Sequence, residues 1–358
     1  MTLFQIATAA IAALVITIAA VLALRPLAYV VDLLDRPGGH KTHQGEVPIV
    51  GGLAMLLGLV LGLSVSSAVI GSLSNFLVPA VFLAVVGMLD DRFDLPPVSR
   101  LFAQFAAVLP MFFGAGLRLL SFGDLFGIGP LITGSTALFA TVFVTLAAIN
   151  AFNMLDGIDG LAGGVAVVSL TCVFGLSYPS AGPAQLALAA VLMGSVVGFL
   201  VFNLPMRLNR RMRCFMGDAG STLLGFSLAW LCISLSQGQG AGAAPITMVW
   251  LVGVPATELV WTTIRRLAHG HSPIRPDTEH LHHRLRAAGL GARAVFATMT
   301  VAAVLFALIG LGLQERHVPD WLSLLLLFAA GSTLVVTCYN GAALLRFMPS
   351  SWRLPVAD

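Results

Sequence analysis

Charge is what this sequence has least of. Only 10% of its 358 residues are Asp, Glu, Lys or Arg, while 58% are hydrophobic. An ordinary water-soluble domain carries about 25% charged residues, so this chain cannot cover a water-facing surface and belongs in a lipid bilayer. Lysine occurs once, at Lys41. The four cysteines, Cys172, Cys214, Cys232 and Cys338, form no Cys-x-x-Cys pair. Three of them fall in apolar runs, which argues against a disulfide frame or a zinc ribbon and leaves them as small core residues. Walker A and Rossmann glycine patterns are missing as well, which argues against ATP-driven and nicotinamide chemistry. No internal repeat or low-complexity tract stands out. The longest connection, from Ile264 to Ala292, is too short for a separate soluble core, so residues 1–358 read as one membrane-embedded domain.

What the chain has in abundance is apolar length. Eleven stretches of about 17 to 25 residues are each long enough to cross a hydrocarbon core of about 30 Å. They lie near residues 3 to 24, 47 to 70, 73 to 89, 100 to 117, 131 to 150, 160 to 178, 183 to 202, 219 to 236, 244 to 263, 294 to 313 and 321 to 345. The expected fold is therefore all-α, a polytopic membrane protein of about eleven helices. A signal peptide is the rival reading of the first stretch, but no Lys or Arg precedes it and Arg25 is its first charge.

Eleven crossings put the odd-numbered connections on one side and the even-numbered ones on the other. The odd connections hold Arg25, Arg36, Lys41, Arg92, Arg100 and the clusters at 207–213, 265–266 and 275–293, whereas the even ones hold only Arg118 and Arg316. Basic residues near span ends mark the cytoplasm, which predicts an outside N-terminus and a cytoplasmic C-terminus. Eleven of the sixteen acids, Asp90, Asp91, Asp94, Asp156, Asp159 and Asp218 among them, fall in the odd connections or at their edges. Glu258, in the ninth stretch after Pro255, is the one acid plainly inside a span. A transporter would more often carry its acids at mid-depth, so the distribution favours chemistry at the cytoplasmic face.

Five constellations lie on that face. The first is Asp90-Asp91-Arg92-Phe93-Asp94, after the third stretch. Two carboxylates about 4 Å apart repel by about 4 kcal/mol at an effective dielectric of 20. Such a cluster awaits a divalent cation, a shared proton or a basic partner, or is a solvated loop paired with Arg92. In the second, Asn150, Asn153, Asp156 and Asp159 recur every third residue, on one slowly drifting stripe if the helix persists. The third is Asn203, an arginine-rich loop, and then Phe215-Met216-Gly217-Asp218-Ala219-Gly220-Ser221, where Asp218 suits either a metal ligand or a helix N-cap. His280-Leu281-His282-His283-Arg284 is the fourth, a face suited to phosphate or sugar, with zinc as a weaker rival. The fifth runs from His40 to Gly52 and includes Lys41, a candidate phosphate contact; Gly51 and Gly52 fit close helix packing equally well. Together these groups suit a phosphorylated, water-soluble donor and a lipid acceptor.

In this order the motifs resemble the polyprenyl-phosphate N-acetylhexosamine-1-phosphate transferase superfamily, which includes the MraY translocases and the WecA and TagO enzymes. The likeness rests on Pro48 to Gly52, Asp90-Asp91 with Asp94, Asn153 to Gly160, Phe215 to Ser221 and His280 to His283. The Asp-x-x-His-Leu-His-His spacing with Arg284 is similar to the WecA-type branch. The CDP-alcohol phosphatidyltransferases, another class with aspartates at a membrane face, need an Asp-Gly, Ala-Arg, Gly and two-aspartate pattern that the surroundings of Asp156 and Asp159 lack.

The resemblance implies transfer of N-acetylglucosamine 1-phosphate from UDP-GlcNAc to undecaprenyl phosphate at the cytoplasmic face of a bacterial inner membrane. UMP is released, in the first step of an O-antigen-like pathway. Another UDP-N-acetylhexosamine donor remains open, as do a covalent Asp intermediate and assembly as a homodimer, and no nucleic-acid partner is expected. The resemblance also implies Mg²⁺, with Mn²⁺ as a substitute, held by Asp218 with Asp91 and Asp159 nearby. Asp90 is implied as base or orienting acceptor, and Asp91, Asp156 and Asp159 complete the catalytic candidates. Asn153 and Asp156 would orient the metal shell or nucleotide, and Asn203 would contact uridine. His280, His282, His283 and Arg284 would hold pyrophosphate or sugar, and Lys41 the lipid phosphate.

Overall fold

A computed structural model describes residues 2–36, 45–65, 73–178, 182–206, 212–237, 242–272 and 279–354. Lys41, Asp277 and Arg207, Arg210 and Arg211 lie outside the described residues. The chain is built from helices: α1 (Leu3–Val30), α2 (Gly51–Ser64), α3 (Ser74–Phe93), α4 (Pro97–Leu109, continued by a wide turn over Pro110–Gly114), α5 (Ala137–Leu155), α6 (Leu161–Ser177), α7 (Pro183–Asn203), α8 (Gly217–Ser236), α9 (Pro245–Leu251), α10 (Gly253–Ala268), α11 (Leu281–Ala287), α12 (Ala292–Glu315) and α13 (Asp320–Tyr339). Among the described residues the only sheet is a two-residue antiparallel pair, β1 (Leu34–Asp35) with β2 (Val47–Pro48).

Each of the eleven apolar stretches contains a helix or, for the ninth, the α9–α10 pair; the second opens on β2, and its residues 66–70 lie outside the described ones. Seven helices are long and apolar enough to cross a membrane, and up to eight if α9 and α10 count as one span. Apart from the amphipathic α4 and α10, the long helices are apolar nearly all round, so periodicity does not say which of their faces is inside; packing does. Within α8, 83% of the apolar stretch is buried, and 72% within α7, whereas α1 and α13 bury only 28% of theirs. The inner pair is therefore α7 and α8. Phe4, Phe102, Phe139, Phe143 and Phe328 point outward from the outer helices, as a lipid-facing surface requires.

Close packing in lipid relies on small residues, because burial against lipid-like neighbours offers little hydrophobic gain. A Cβ at Gly52 of α2 would collide with the backbone nitrogen of Gly220 in α8, and one at Gly87 of α3 would strike the backbone of Ala219. These crossings bring the ends of α2 and α3 against the first turn of α8.

The ninth apolar stretch, expected as one span, is broken. Helices α9 and α10 meet at 89°. Pro255 has no N–H with which to bond the carbonyl four residues back, at Leu251, and that carbonyl accepts a 2.6 Å hydrogen bond from Ser169 Oγ instead. The bend turns α10, with Glu258, Thr262 and Arg265, toward the histidine segment.

The helix ends gather in two groups. In one, Gln237 Oε1 accepts from the Leu120 and Ser121 amides at 3.0 Å, Asp320 Oδ2 accepts from Asp124 N at 2.9 Å, and Gln314 Oε1 accepts from Ala244 N at 3.2 Å. The other group holds the candidate site.

Candidate active site

The first wall of the site is the meeting of α3 and α8. Helix α8 opens at Gly217, whose φ of +69° suits glycine, and no side chain at Met216 caps it. Its first amides still need acceptors. The Asp91 carboxylate supplies them from α3: Oδ1 accepts from Asp218 N at 2.8 Å and Oδ2 from Ala219 N at 3.3 Å. Asp91, not Asp218, is thus the cap of α8, and Asp218 is left in the first turn with its carboxylate beside α4.

Asp90 is buried and fully engaged. Its Oδ1 accepts from Leu95 N at 2.8 Å and its Oδ2 from Arg100 Nη1 at 2.9 Å. The same Arg100 nitrogen lies 3.6 Å from Asp218 Oδ2, so one guanidinium joins the two acids. Arg92, the partner suggested by proximity in sequence, faces away and pairs with Asp32 at 3.2 Å. Arg100 is a site residue that sequence reasoning missed. Its one signal was a lone cation in the first turn of the helix after the acidic cluster.

The stripe of every-third polar residues does not stay on one helix. Helix α5 stops at Leu155, because Asp156 leaves helical geometry and Gly160 takes φ +78° before α6 begins. Asn150 and Asn153 remain on α5, while Asp156 and Asp159 sit in the turn. Asn150 bonds Gln104 at 3.2 Å. The Asn153 Oδ1 atom is buried with no hydrogen-bond partner among the described residues. It borders a pocket lined also by Asp90, Arg100, Gln104 and Asp218. Asp159 pairs with Arg213 Nη2 at 2.6 Å. Removal from water, reinforced by the negative charges of Asp218, Asp91 and Asp159, pushes the Asp156 carboxyl well above its ordinary range.

Asn203 ties the turn in place. Its Oδ1 accepts from Gly160 N at 2.7 Å and its Nδ2 donates to Cys214 O at 2.8 Å. With one lone pair of Oδ1 and one hydrogen of Nδ2 engaged by backbone, Asn203 serves as a brace between two loops.

The second wall is the histidine segment. The rings of His282 and His283 have centroids 4.2 Å apart, and His280 stacks on His282 at 5.6 Å. His282 is buried against Gly157, where any side chain would collide with the imidazole, so the histidines adjoin the Asp156–Gly160 turn. Both His282 ring nitrogens are without partners among the described residues. Burial, with His283, His280 and Arg286 nearby, pushes its pKa well below the ordinary value and keeps the ring neutral. Arg284 and Arg265 share Glu279, each at 2.6 Å, and Arg284 lies over the Tyr339 ring. Among the described residues no three His, Cys, Asp or Glu side chains form a ready metal cage. The arrangement is instead an oxygen-rich wall with one guanidinium, facing neutral and cationic donors across a tight turn. Its chemistry suits a ligand bearing several phosphate oxygens.

A model of glycosyl transferase family 4 matches residues 73–236, the stretch from α3 to α8 that carries the acidic wall. The chain is 37% identical over 332 residues to the undecaprenyl-phosphate alpha-N-acetylglucosaminyl 1-phosphate transferase of Yersinia pestis, covering 92% of this chain and 90% of that one. It is 38% identical over 308 residues to the protein of the same description in Escherichia coli (strain K12), covering 86% and 83%. With the Haemophilus influenzae counterpart the identity is 34% over 298 residues, covering 83% and 84%.

Proposed function

The chain belongs to glycosyl transferase family 4, and from this premise we propose that it transfers N-acetylglucosamine 1-phosphate from UDP-GlcNAc to undecaprenyl phosphate. UMP leaves and undecaprenyl-diphospho-GlcNAc remains. The observation that carries this reading is the convergence at one end of the bundle of Asp90, Asp218, Arg100 and Asn153 with the histidine segment, in a protein whose relatives bear that activity in their names. The reading includes eleven crossings, an outside N-terminus, a cytoplasmic C-terminus and a site facing the cytoplasm of a bacterial inner membrane. It also places the product at the start of a lipid-linked, O-antigen-like polysaccharide.

The donor set fits Mg²⁺, with Mn²⁺ as a substitute. Magnesium takes oxygen ligands, is commonly held by one or two carboxylates plus substrate phosphates, and needs no all-protein cage. Asp218 would hold it, with the unpartnered Asn153 Oδ1 on the same pocket as a second oxygen, and Asp159 acting through water. Bound there, the ion would neutralise the donor diphosphate as charge accumulates on departing UMP.

The remaining roles belong to the chain's own residues. Asp91 holds the first turn of α8 and so places Asp218. Asp90 holds the Arg100 guanidinium in the pocket, where it faces the lipid phosphate. An oxygen of that phosphate attacks the β-phosphorus of the donor; the P–O bond to UMP breaks and UMP carries off the electron pair. A phosphate monoester has a second pKa near about 6, so proton removal is a minor task and positioning dominates. The unpartnered nitrogens of neutral His282, with His280, His283 and Arg284, bind the sugar or pyrophosphate.

Purified protein in detergent, given undecaprenyl phosphate and a panel of UDP-sugars, tests this reading by UMP release. UDP-GlcNAc should be the preferred donor, and EDTA should stop the reaction. Asp218→Asn should lower the rate by more than about 100-fold, beyond what loss of an outer-shell metal partner costs, with an unchanged melting temperature. Preference for another UDP-N-acetylhexosamine would reassign the donor, and a near-normal Asp218→Asn rate would remove Asp218 from the metal role.

A further inference from the structure

One buried carboxylate takes no part in the mechanism above. Glu258 stands on α10, beyond the 89° bend, with no exposed surface. An acid in an apolar helix is costly unless its oxygens are satisfied. Here they are satisfied almost entirely by the histidine segment. Glu258 Oε2 accepts from Leu281 N at 3.0 Å and Oε1 from the same amide at 3.3 Å. His280 Nδ1 lies 3.0 Å from Oε1, and Thr262 Oγ1 donates to Oε1 at 3.1 Å. The Nδ1 contact is a hydrogen bond to a carboxylate oxygen when His280 carries its proton on Nδ1, the tautomer that leaves Nε2 free to face the other way.

We propose that Glu258 is a positioning residue for donor binding: it fixes the ring orientation and proton placement of His280 and anchors the start of α11, so that the histidine segment faces the Asp156–Gly160 turn. The proposal rests on the transferase reading for its kinetic consequence. The bend at Pro255 supplies the geometry, since a straight ninth span would carry Glu258 past the segment rather than into it. Replacing buried ionic groups with apolar ones is often neutral or stabilising, so folding alone gives no reason for an acid at this depth.

The test is a double-mutant cycle on the full chain in detergent. Glu258→Ala and His280→Ala should each raise the KM for UDP-GlcNAc by about tenfold, the lower end of what loss of an orienting partner costs. The KM for undecaprenyl phosphate should hold within about twofold, and the double variant should be no worse than the worse single one. Glu258→Gln separates the two jobs. Its carbonyl can still accept from Leu281 N, but its amide nitrogen cannot accept from His280 Nδ1. It should therefore keep the slow hydrogen exchange of the Leu281 amide and still show the donor defect, whereas Glu258→Ala should lose both. Multiplying defects in the double variant, or an equal rise in both KM values, would overturn the proposal, as would unchanged Leu281 exchange in Glu258→Ala. If the unaltered protein releases no UMP, the transferase reading falls by itself, and the exchange measurement then judges Glu258 alone.

Discussion

Four aspartates crowd the first wall, and their hydrogen bonds assign them different work. Asp91 spends both oxygens on the amides of α8, and Asp90 spends its own on Leu95 and Arg100. Asp218 lies against the Asp90 carboxyl and has the weaker 3.6 Å contact to Arg100 as its cationic partner, so it suits an incoming cation best of the four. Asp156 is the misfit, withdrawn from water among three like charges. Its effect on stability has a definite sign. Below the ordinary value of 3.8 the carboxyl is protonated in both the folded and unfolded chain and carries no penalty. As pH rises from there toward the raised folded value, the unfolded chain releases its proton first, so folding stability falls, and the penalty is complete above the folded value. Asp156→Asn is neutral throughout. In EDTA, its melting temperature should exceed that of the unaltered protein at pH 7.5 by at least about 2 °C, and the gap should close toward about pH 4, where an aspartate in the unfolded chain takes up its proton. Parallel melting curves across that range would show that Asp156 ionises freely.

At the scale of helices, the site depends on how closely α2, α3 and α8 approach. Gly52→Ala would place a methyl group against the Gly220 backbone, where no side chain can rotate aside. Overpacking of this kind costs about 1 to 3 kcal/mol, and pushing α8 outward also moves Asp218. At Gly175, exposed on α6, an added methyl group would meet nothing within 4 Å, and Gly→Ala in an open helical site gains about 0.5 to 1 kcal/mol. Thermal denaturation in detergent should thus show Gly52→Ala melting lower and Gly175→Ala equal or higher; equal losses at both would refute the close-approach argument. The all-helical fold was legible from the sequence, because lipid demands long apolar runs, although only seven helices, or eight with α9–α10 as one, are long and apolar enough to cross. The break in the ninth was not, since hydropathy sums side chains and takes no account of the N–H that Pro255 lacks. Nor was the central place of α7 and α8 legible, because helices apolar on every face carry no stripe to read. The site was legible where polar residues stood out against apolar neighbours, as Asp90, Asn153, Asp218 and His282 do. Arg100 escaped because it is a single charge whose partners come from other helices, and Glu258 stood out as an acid within a span without showing that His280 and Leu281 would meet it. Asn203 was visible, but its bracing role was not, since its two backbone partners arrive from separate loops.

At the scale of the whole molecule, the two groups of helix ends carry very different charge. The end built from Leu120–Thr133, Gln237 and Asp320 has Arg118 and Arg316 as its basic residues, whereas the site end has Arg25, Arg92, Arg100, Arg213, Arg265 and Arg284. Basic residues near span ends are retained in the cytoplasm, and this asymmetry is the ground for the proposal that the site faces the compartment that supplies nucleotide sugars. The proposed parity of eleven crossings uses these same charges, and it needs the broken α9–α10 pair to count as one crossing. Two exposed positions decide the matter: Ile128, at the tip of the Leu120–Thr133 segment, and Val98, at the start of α4 beside Arg100. In a variant without the four native cysteines, an impermeant maleimide applied to intact spheroplasts should label Ile128→Cys, and should label Val98→Cys only after the membrane is opened. The reversed pattern would turn the site outward, away from its donor. Labelling of both positions in sealed spheroplasts would mean that one helix between them fails to cross, and the walls that meet at Asp218 would then have to be assembled from opposite sides of the bilayer.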